Sequence, residues 1–371
     1  MNILSISTDR KLFEPGSAVR SRTLEYGRLV DELHIIIFSK CSHGFGSETF
    51  PPNIFLYPTN AHTRWGYIPH AFLEARRLKK QGVRIEVVTA QDPFEAGLAG
   101  YFIARLFGAK LHLQVHTDFM SPYFDAGSFL NRIRVRVAKF LLPRADAVRV
   151  VSERISKSTL GIVRPGVPVA VLPIFTSAEP SSSLRVKRSN PATNRYPQFE
   201  KHILMASRLS PEKNIPLALK AMKEIVTKHP NVGLIIAGSG AEEVRLKKLV
   251  ESLGLAKNVV FEGWQDDLAS YYKTADLFLL TSNYEGYGMT VVEALSAGCP
   301  VVMTDVGCAG DVVESGKNGL VVPVGDEKAL TRAVIKVLSG EAHLSAKTPK
   351  LATKKEYLAA YRASWEDAKR A

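Results

Sequence analysis

The 371-residue chain is long enough for two domains with separate cores, and its net charge is +13. Three cysteines, Cys41, Cys299 and Cys308, are too few and too scattered for a disulfide framework or a zinc site. The charge is lopsided, with 27 Lys/Arg against 16 Asp/Glu in residues 1–200, and no nucleic-acid-binding motif accompanies it. An anionic membrane surface or a phosphorylated lipid acceptor is therefore the expected partner of the first half, and nucleic acid is not.

In chain order, MNILSIST reads as a buried strand rather than a signal peptide, lacking a charged leader and a cleavage site. No apolar run approaches membrane-span length, so the expected compartment is the cytoplasm, with peripheral contact on the inner membrane face. Strand-length apolar runs then alternate with helical patterns, the mark of parallel sheets with crossover helices. Strands are expected at Asn2–Ser7, Leu33–Phe38, Ile85–Thr89, Lys110–Val115 and Ala147–Val151. Helices fall between them at Ser21–Asp31, His70–Lys80, Pro93–Phe107 and Phe129–Leu142. A polar run rich in Ser and Pro, 176–200, reads as a linker and puts a boundary near 195. The rhythm resumes with strands near His202–Ala206, Val232–Ala237, Asn258–Phe261, Asp276–Leu280, Pro300–Met303 and Leu320–Pro323.

The segment SNYEGYGMTVVEALSAGCPVV, Ser282 to Val302, is the richest in chemistry. Glu285 and Glu293 bracket a Gly-Tyr-Gly turn and the start of an apolar helix. That helix is expected from near Met289 to Gly298, because glycine terminates helices and Pro300 cannot continue one. The N–H groups of Gly288, Met289 and Thr290 then form an anion site through free donors and the helix dipole. Carboxylates flanking such a site would repel phosphate, so they suit hydroxyl-rich groups on either side of it, a ribose and a sugar. Singly, Glu293 reads as a solvated helix position and Glu285 as a loop charge. With the turn and helix they read as a nucleotide-sugar site.

This segment resembles the signature of the retaining glycosyltransferases of family 4, in both glutamates, the intervening glycines and the following EALSAGCPVV. Companion motifs extend the resemblance over nearly the whole chain. It implies the GT-B fold: α/β, two Rossmann-like parallel-sheet domains facing a central cleft. The acceptor-binding domain would occupy 1–195 and the nucleotide-sugar domain 196–354, with a last helix over 355–371 packing back on the first.

MASRLSPEKN places Arg208 and Lys213 in a loop at a strand's carboxyl end, where ligands bind in such sheets. Two cations there would stabilise a departing diphosphate, and they match the family's Arg/Lys pair; the structural alternative is a loop salt bridge of Lys213 with Glu212. The same match implies that Glu293 binds the ribose hydroxyls and Glu285 faces the donor sugar, with amides near Met289 and Thr290 cradling oxygens. Gly238 in IAGSG begins a turn that lacks the third glycine of a dinucleotide-binding loop, which argues for a backbone wall of the donor pocket. Gly263 and Trp264 stand where the family contacts the base, though Trp264 reads equally well as a packed side chain.

In the first half, Gly16 stands at the family's glycine-rich loop, with Ser17 in place of a second glycine. Arg20 and Arg22 either contact an acceptor phosphate or are solvated helix charges. His116 in LQVHTDF follows a strand and matches the family's cleft histidine; Asp118 is a further candidate for acceptor hydroxyls. Asp92 and Glu95 in QDPFEAG read as a capping box rather than a catalytic pair. Two apolar-basic stretches are membrane candidates, or ordinary amphipathic helices: one holds Trp65, Tyr67 and Phe72, the other Leu130, Ile133, Val137 and Phe140 opposite Arg132, Arg136 and Lys139.

The expectation is a retaining, metal-independent hexosyltransferase acting by front-face attack, without a cofactor, its donor a nucleotide-diphosphate sugar. GDP-mannose is the first guess for that donor. A glycan, glycolipid or polyprenyl-phosphate-linked acceptor in cell-surface polysaccharide or glycolipid synthesis follows from the family association. A nucleotide-sugar isomerase or hydrolase of the same fold, or a non-catalytic nucleotide-sugar-binding protein, are the alternatives.

Overall fold

The computed structural model describes residues 1–175, 195–344 and 351–371. The chain divides into two compact units, Met1–Pro173 with Ala352–Ala371, and Ile174–Leu351. Most of the polar run read as a linker lies outside the described residues.

The first unit runs β1 (Asn2–Ser7), α1 (Ala18–Gly27), β2 (Glu32–Ile37), β3 (Glu48–Phe50), β4 (Ile54–Pro58), α2 (Tyr67–Lys80) and β5 (Val87–Ala90). It continues with α3 (Glu95–Phe107), β6 (Lys110–Val115), α4 (Pro122–Gly127), α5 (Phe129–Leu141), β7 (Ala147–Val150), α6 (Glu153–Thr159) and β8 (Val169–Val171). The second unit holds β9 (Lys201–Ala206), α7 (Ile215–Lys228), β10 (Val232–Ala237), α8 (Glu243–Ser252), β11 (Val259–Gly263) and α9 (Ala269–Thr274). After these come β12 (Leu277–Leu280), α10 (Met289–Ser296), β13 (Val301–Thr304), β14 (Gly319–Val322) and α11 (Glu327–Leu338). The last helix, α12 (Lys354–Arg370), belongs to the first unit, where it lies against β5, β6 and β7.

The first sheet has the order β3-β4-β2-β1-β5-β6-β7-β8 and is parallel except for the short edge strand β3. Its central strands are near-continuous apolar runs because helices cover both faces; Ile3, Leu4 and Ile6 are fully buried. The second sheet is wholly parallel, with the order β11-β10-β9-β12-β13-β14. Its core packs Ile203, Leu234, Leu277 and Val302 against α7 residues such as Leu219 and Met222.

Both sheets are doubly wound. In the second, the chain winds outward from β9 through β10 to β11, then returns to start β12 on the other side of β9. The loops after β9 and β12 therefore diverge from adjacent strands at one edge, where such sheets leave a crevice for ligands. The corresponding point in the first sheet lies between β1 and β5.

Candidate functional site

In the second unit the crevice is closed by side chains from the two diverging loops. Leaving β9, the chain runs along the turn after β10: Ser207 N–H donates to the Ala237 carbonyl at 3.0 Å, and Leu209 N–H to that of Ser239 at 2.9 Å. The approach is too close for side chains. A Cβ on Gly238 would lie 1.8 Å from the Ser207 carbonyl oxygen, and one on Gly240 2.3 Å from that of Leu209. The glycines of IAGSG thus have a packing cause in the described structure.

A short 3-10 turn, Pro211–Lys213, then tips Lys213 toward the loop after β12, with Asn214 at a φ of +44° to start α7. Lys213 Nζ donates to Glu285 Oε1 at 2.5 Å, and the Ser282 hydroxyl donates to the same oxygen at 2.7 Å. Lys213 and Glu285 side chains are only 14% and 13% exposed, so little water screens the pair. Backbone and side-chain bonds lock the two loops together: Thr281 Oγ1 to the Lys213 carbonyl at 2.9 Å, Asn214 Nδ2 to Asn283 Oδ1 at 3.0 Å, Asn283 N–H to the Glu212 carbonyl at 2.8 Å. Behind them the loop after β13 supports the turn. Thr304 donates to the Ser282 carbonyl at 2.7 Å, and Gly307, at φ +55°, sits where a Cβ would meet the Tyr287 carbonyl at 2.5 Å.

The structural alternative for Lys213 is corrected: Glu212 does not take Lys213. Its Oε1 accepts from Arg208 at 3.2 Å and from the Ser210 hydroxyl at 2.7 Å. Arg208 is largely exposed, so its guanidinium keeps donors toward solvent. Glu285 and Glu293 share no partner in the described structure. Glu293, on α10, accepts from the Tyr272 hydroxyl at 2.9 Å; burial pushes its carboxyl up, and the Tyr272 bond opposes that. Gly288, at φ +91°, caps α10, and the first amide to bond back within the helix is that of Val291. The Met289 and Thr290 amides precede it, as helix geometry requires. Trp264 is 61% exposed at the end of β11 and donates to Asp266 at 2.9 Å, which removes the reading as a packed side chain. Gly263, at φ +69°, accepts from the Gly238 amide at 2.6 Å.

In the first unit, His116 directly follows β6, and its Nε2 lies 3.1 Å from Gln114 Oε1. Burial, with Arg149, Arg22 and His112 as neighbouring cationic or polar groups, pushes its imidazole down to about 3. Asp118 is pushed the other way by burial, with Arg154 opposing. Gly16, at φ +78°, has open space where a Cβ would stand, so its turn needs the backbone freedom rather than the room. Ser17 caps α1, its hydroxyl accepting from the Arg20 amide at 3.1 Å. Arg20 is not a solvated helix charge: it stacks 3.9 Å over Phe50 and reaches Glu48, both on β3. The capping box is half right. Asp92 accepts from the Phe94 and Ala96 amides, but Glu95 pairs with Arg134 of α5 at 2.9 Å instead of returning a bond.

Thr281, Ser282, Tyr272 and Gly307 were not singled out by sequence. They are polar or small residues beside the glutamates whose roles depend on loops from strands that are not consecutive in sequence. Among the described residues no group of three His, Cys, Asp or Glu is placed to hold a metal ion, and no helix is long and apolar enough to cross a membrane. Cys41, Cys299 and Cys308 form no disulfide.

Two doubly wound parallel-sheet units are the architecture of the GT-B class of proteins. Residues 28–174 match the family model described as a glycosyl transferase 4-like domain, and residues 186–355 match glycosyl transferases group 1. The chain belongs to these GT-B glycosyltransferases of the group 1, family-4-like kind. It is 35% identical over 157 residues to a poly(glycerol-phosphate) alpha-glucosyltransferase of Bacillus subtilis, covering 42% of this chain and 23% of that one. It is 23% identical over 325 residues to an N-acetyl-alpha-D-glucosaminyl L-malate synthase of Bacillus anthracis, covering 85% and 82%. The fold is also that of sucrose-phosphate synthase from Thermosynechococcus elongatus, with a TM-score of 0.72, 20% identity and coverage of 100% and 94%. The chain thus spans about a quarter of the first relative and most of the second.

Proposed function

We propose that the protein is a retaining hexosyltransferase that takes its sugar from a nucleotide-diphosphate donor and needs neither a metal ion nor a cofactor. The observation that carries this reading is the Lys213–Glu285 pair, held at 2.5 Å at the switch point of the second sheet. An ammonium has three donors, and Glu285 occupies one of them. The others are available to a phosphate oxygen, with Arg208 supplying further donors from the same loop. As the bond from the sugar C1 to the phosphate oxygen breaks, negative charge grows on the diphosphate, and fixed cations lower the barrier. The acceptor hydroxyl forms its new bond to C1 on the same face and gives its proton to the departing phosphate oxygen. The anomeric configuration is kept, and no enzyme nucleophile is consumed.

On this reading Glu293 grips the ribose hydroxyls, its carboxylate already oriented by Tyr272. Glu285 reaches the sugar hydroxyls while tethered by Lys213 and Ser282. The Gly288, Met289 and Thr290 amides receive phosphate or sugar oxygens. Gly238 and Gly263 wall the pocket, and the exposed Trp264 ring stands ready to stack on a base. In the first unit His116 meets a substrate hydroxyl, Gly16 is a donor-side candidate, and Arg22 and Asp118 are acceptor-side candidates. Arg20, held by β3, is a weaker one.

The donor expected first from sequence is GDP-mannose. The names of the two relatives describe a glucosyl and an N-acetylglucosaminyl transfer, which supports a gluco-configured donor as the competing choice. A thermal-shift panel of UDP, GDP and ADP sugars separates them, followed by transfer assays with the stabilising donor. NMR of the product's anomeric proton tests retention, and EDTA tests the metal. A β-linked product from an α-donor, or loss of transfer in EDTA restored by a divalent ion, overturns those parts. Turnover without any acceptor would favour the isomerase or hydrolase alternative.

The proposed acceptor is a glycan, glycolipid or polyprenyl-phosphate-linked sugar, reached from the cytoplasmic side of a membrane. Exposed apolar and basic side chains on α5 support that setting. Phe129, Leu130, Ile133 and Phe140 are all exposed there, beside Arg132, Arg136 and Lys139, and only Ala138 and Leu141 are buried.

A further inference from the structure

Arg149 lies in the middle of β7 and is 2% exposed, yet among the described residues none of its partners is a carboxylate. Its Nε and one terminal nitrogen donate to the Leu172 carbonyl at 3.2 and 3.0 Å. That terminal nitrogen also donates to the Tyr357 hydroxyl at 3.2 Å, and the other donates to Gln114 Oε1 at 2.7 Å. The guanidinium stacks 4.6 Å from the ring centre of Tyr361. Burying a cation without an anion is costly, so a retained one is expected to act on its neighbours.

We infer that Arg149, by fixing the side-chain amide of Gln114, sets the tautomer of His116 and turns its Nδ1 lone pair toward substrate. Arginine only donates, so the Gln114 atom facing it must be the oxygen. The other end of that amide donates to Thr89 Oγ1 at 3.0 Å and to the Tyr361 hydroxyl at 3.1 Å, which agrees. An amide oxygen only accepts, so the His116 Nε2 that lies 3.1 Å from it carries the proton. The ring is neutral, because burial and the Arg149 and Arg22 cations disfavour a second proton. Nδ1 is then an acceptor, ready for a hydroxyl hydrogen.

The groups that surround this relay come from every element packed on it. They are Arg22 and Tyr26 from α1, Thr89 from β5, His112 from β6, and Tyr357 and Tyr361 from α12. Thr89 Oγ1 also lies 2.8 Å from His112 Nδ1, and burial, with the Arg149 cation, keeps that ring neutral too. The C-terminal helix thereby completes the relay: Tyr361 stacks on Tyr26 at 4.5 Å, and Tyr357 meets the Tyr26 hydroxyl at 3.2 Å. Gln114 and Arg149 are positioning residues. They touch no substrate; they decide what His116 offers one.

The test uses the full chain labelled with 15N-histidine, with His116 identified by the missing signals of His116→Asn. In the wild type, His116 should show a protonated, slowly exchanging Nε2 and an unprotonated Nδ1, unchanged from pH 8 to pH 5. Gln114→Met should remove the protected proton and draw the two nitrogen shifts together. Gln114→Glu keeps an acceptor, so it should restore the protected Nε2 proton while moving the His116 titration upward. A proton on Nδ1 in the wild type overturns the inference, even if Gln114→Met does not fold. So does a Gln114→Met spectrum identical to wild type. The consequence for transfer rests on the role proposed above for His116. If the tautomer changes as expected while kcat and KM do not, that role fails and the relay stands. If both hold, kcat falls with little change in KM, by about 10-fold or more where the lost contact is made in the transition state.

Discussion

Lys213 and Glu285 are 72 residues apart in sequence and meet at 2.5 Å, because β9 and β12 are neighbours in the sheet and their loops diverge from one edge. The pair is mostly shielded from water, so each charge depends on the other. Lys213→Ala would strip the diphosphate of a cation and leave the mostly buried Glu285 without its cation, with only the Ser282 hydroxyl still donating to it. Transfer should fall by about 10²–10³-fold in kcat, the scale for losing a fixed donor at developing charge. Stability should fall by on the order of 1–3 kcal/mol, since a shielded carboxylate is left short of a partner. Glu285→Gln should cost less stability, because Ser282 and Lys213 still find an amide oxygen. A double-mutant cycle read by thermal denaturation separates the two effects, and additivity would show that the contact is energetically idle.

The glycines divide by what stands beside them. At Gly238 a Cβ would collide with a backbone carbonyl at 1.8 Å, and φ is +145°, so Gly238→Ala should displace the loop that carries Arg208. Loss of folding, or at least several kcal/mol of stability, is expected. Gly16 has a positive φ but open space, so Gly16→Ala should cost only about 1 kcal/mol. Chemical denaturation of the two variants checks the contrast, and similar losses for both would contradict it.

Asp92 caps α3 through the Phe94 and Ala96 amides, yet burial pushes its carboxyl up to about 6 from an ordinary value near 3.8. Its folded form therefore holds the proton more tightly than its unfolded form. Between those two values stability falls as pH rises, by about 3 kcal/mol from this group alone. Asn caps as well as Asp and carries no charge. Asp92→Asn should raise the Tm at pH 7 and leave it nearly unchanged at pH 4. His112 and His116 run the opposite way. Both are pushed down to about 3, so their contribution is full above 6.5 and is lost on acidification toward 3. The difference between wild type and Asp92→Asn across pH isolates the carboxyl from them.

The sequence was legible where one cause dominated. Buried strands of a doubly wound sheet need apolar residues on both faces, so β1, β6 and β10 lie within the segments read from composition. Glu48–Pro58 did not read as two strands, because Pro51, Pro52 and Pro58 are ordinary breakers in any local view. Pairing with β2 on one side and β3 on the other makes β4 a strand. The same limit applies at the candidate site. Glu285 and Lys213 stood out by motif, but nothing local says that they bond to each other, or that Glu212 takes Arg208. Arg149 was invisible for the opposite reason: a lone arginine in a short strand reads as an edge or a surface charge, and only its fully enclosed position gives it meaning. Tyr67 and Phe72, read as exposed, are half-buried, with Tyr67 stacked on Phe38; Leu73 takes the exposed position instead.

Helices α2, α3 and α5 pack side by side, and their outer faces leave Leu73, Phe102, Phe129, Ile133 and Phe140 in water. An ordinary amphipathic helix turns its apolar stripe inward, and α5 does not. Its buried contacts are Ala138 and Leu141, and it is further tied to the fold by the Arg134–Glu95 pair. Exposed aromatics beside Arg132, Arg136 and Lys139 suit the boundary of an anionic bilayer, where acyl chains take the rings and headgroups take the charges. Half-burying three such side chains is worth about 3 kcal/mol, and each basic residue near the surface adds about 1 kcal/mol. Replacing Phe129, Ile133 and Phe140 together by Ser should therefore weaken binding to phosphatidylserine-containing vesicles by about 100-fold. The Tm should fall only modestly, because none of the three side chains is fully buried, and most of the loss should come from Phe140, which packs edge-on to Tyr101 and under Arg144. Raising the salt should weaken wild-type binding through the basic residues, and neutral vesicles should bind least. Co-sedimentation at low salt decides it: equal recovery of wild type and the triple variant would mean that this face meets something other than lipid.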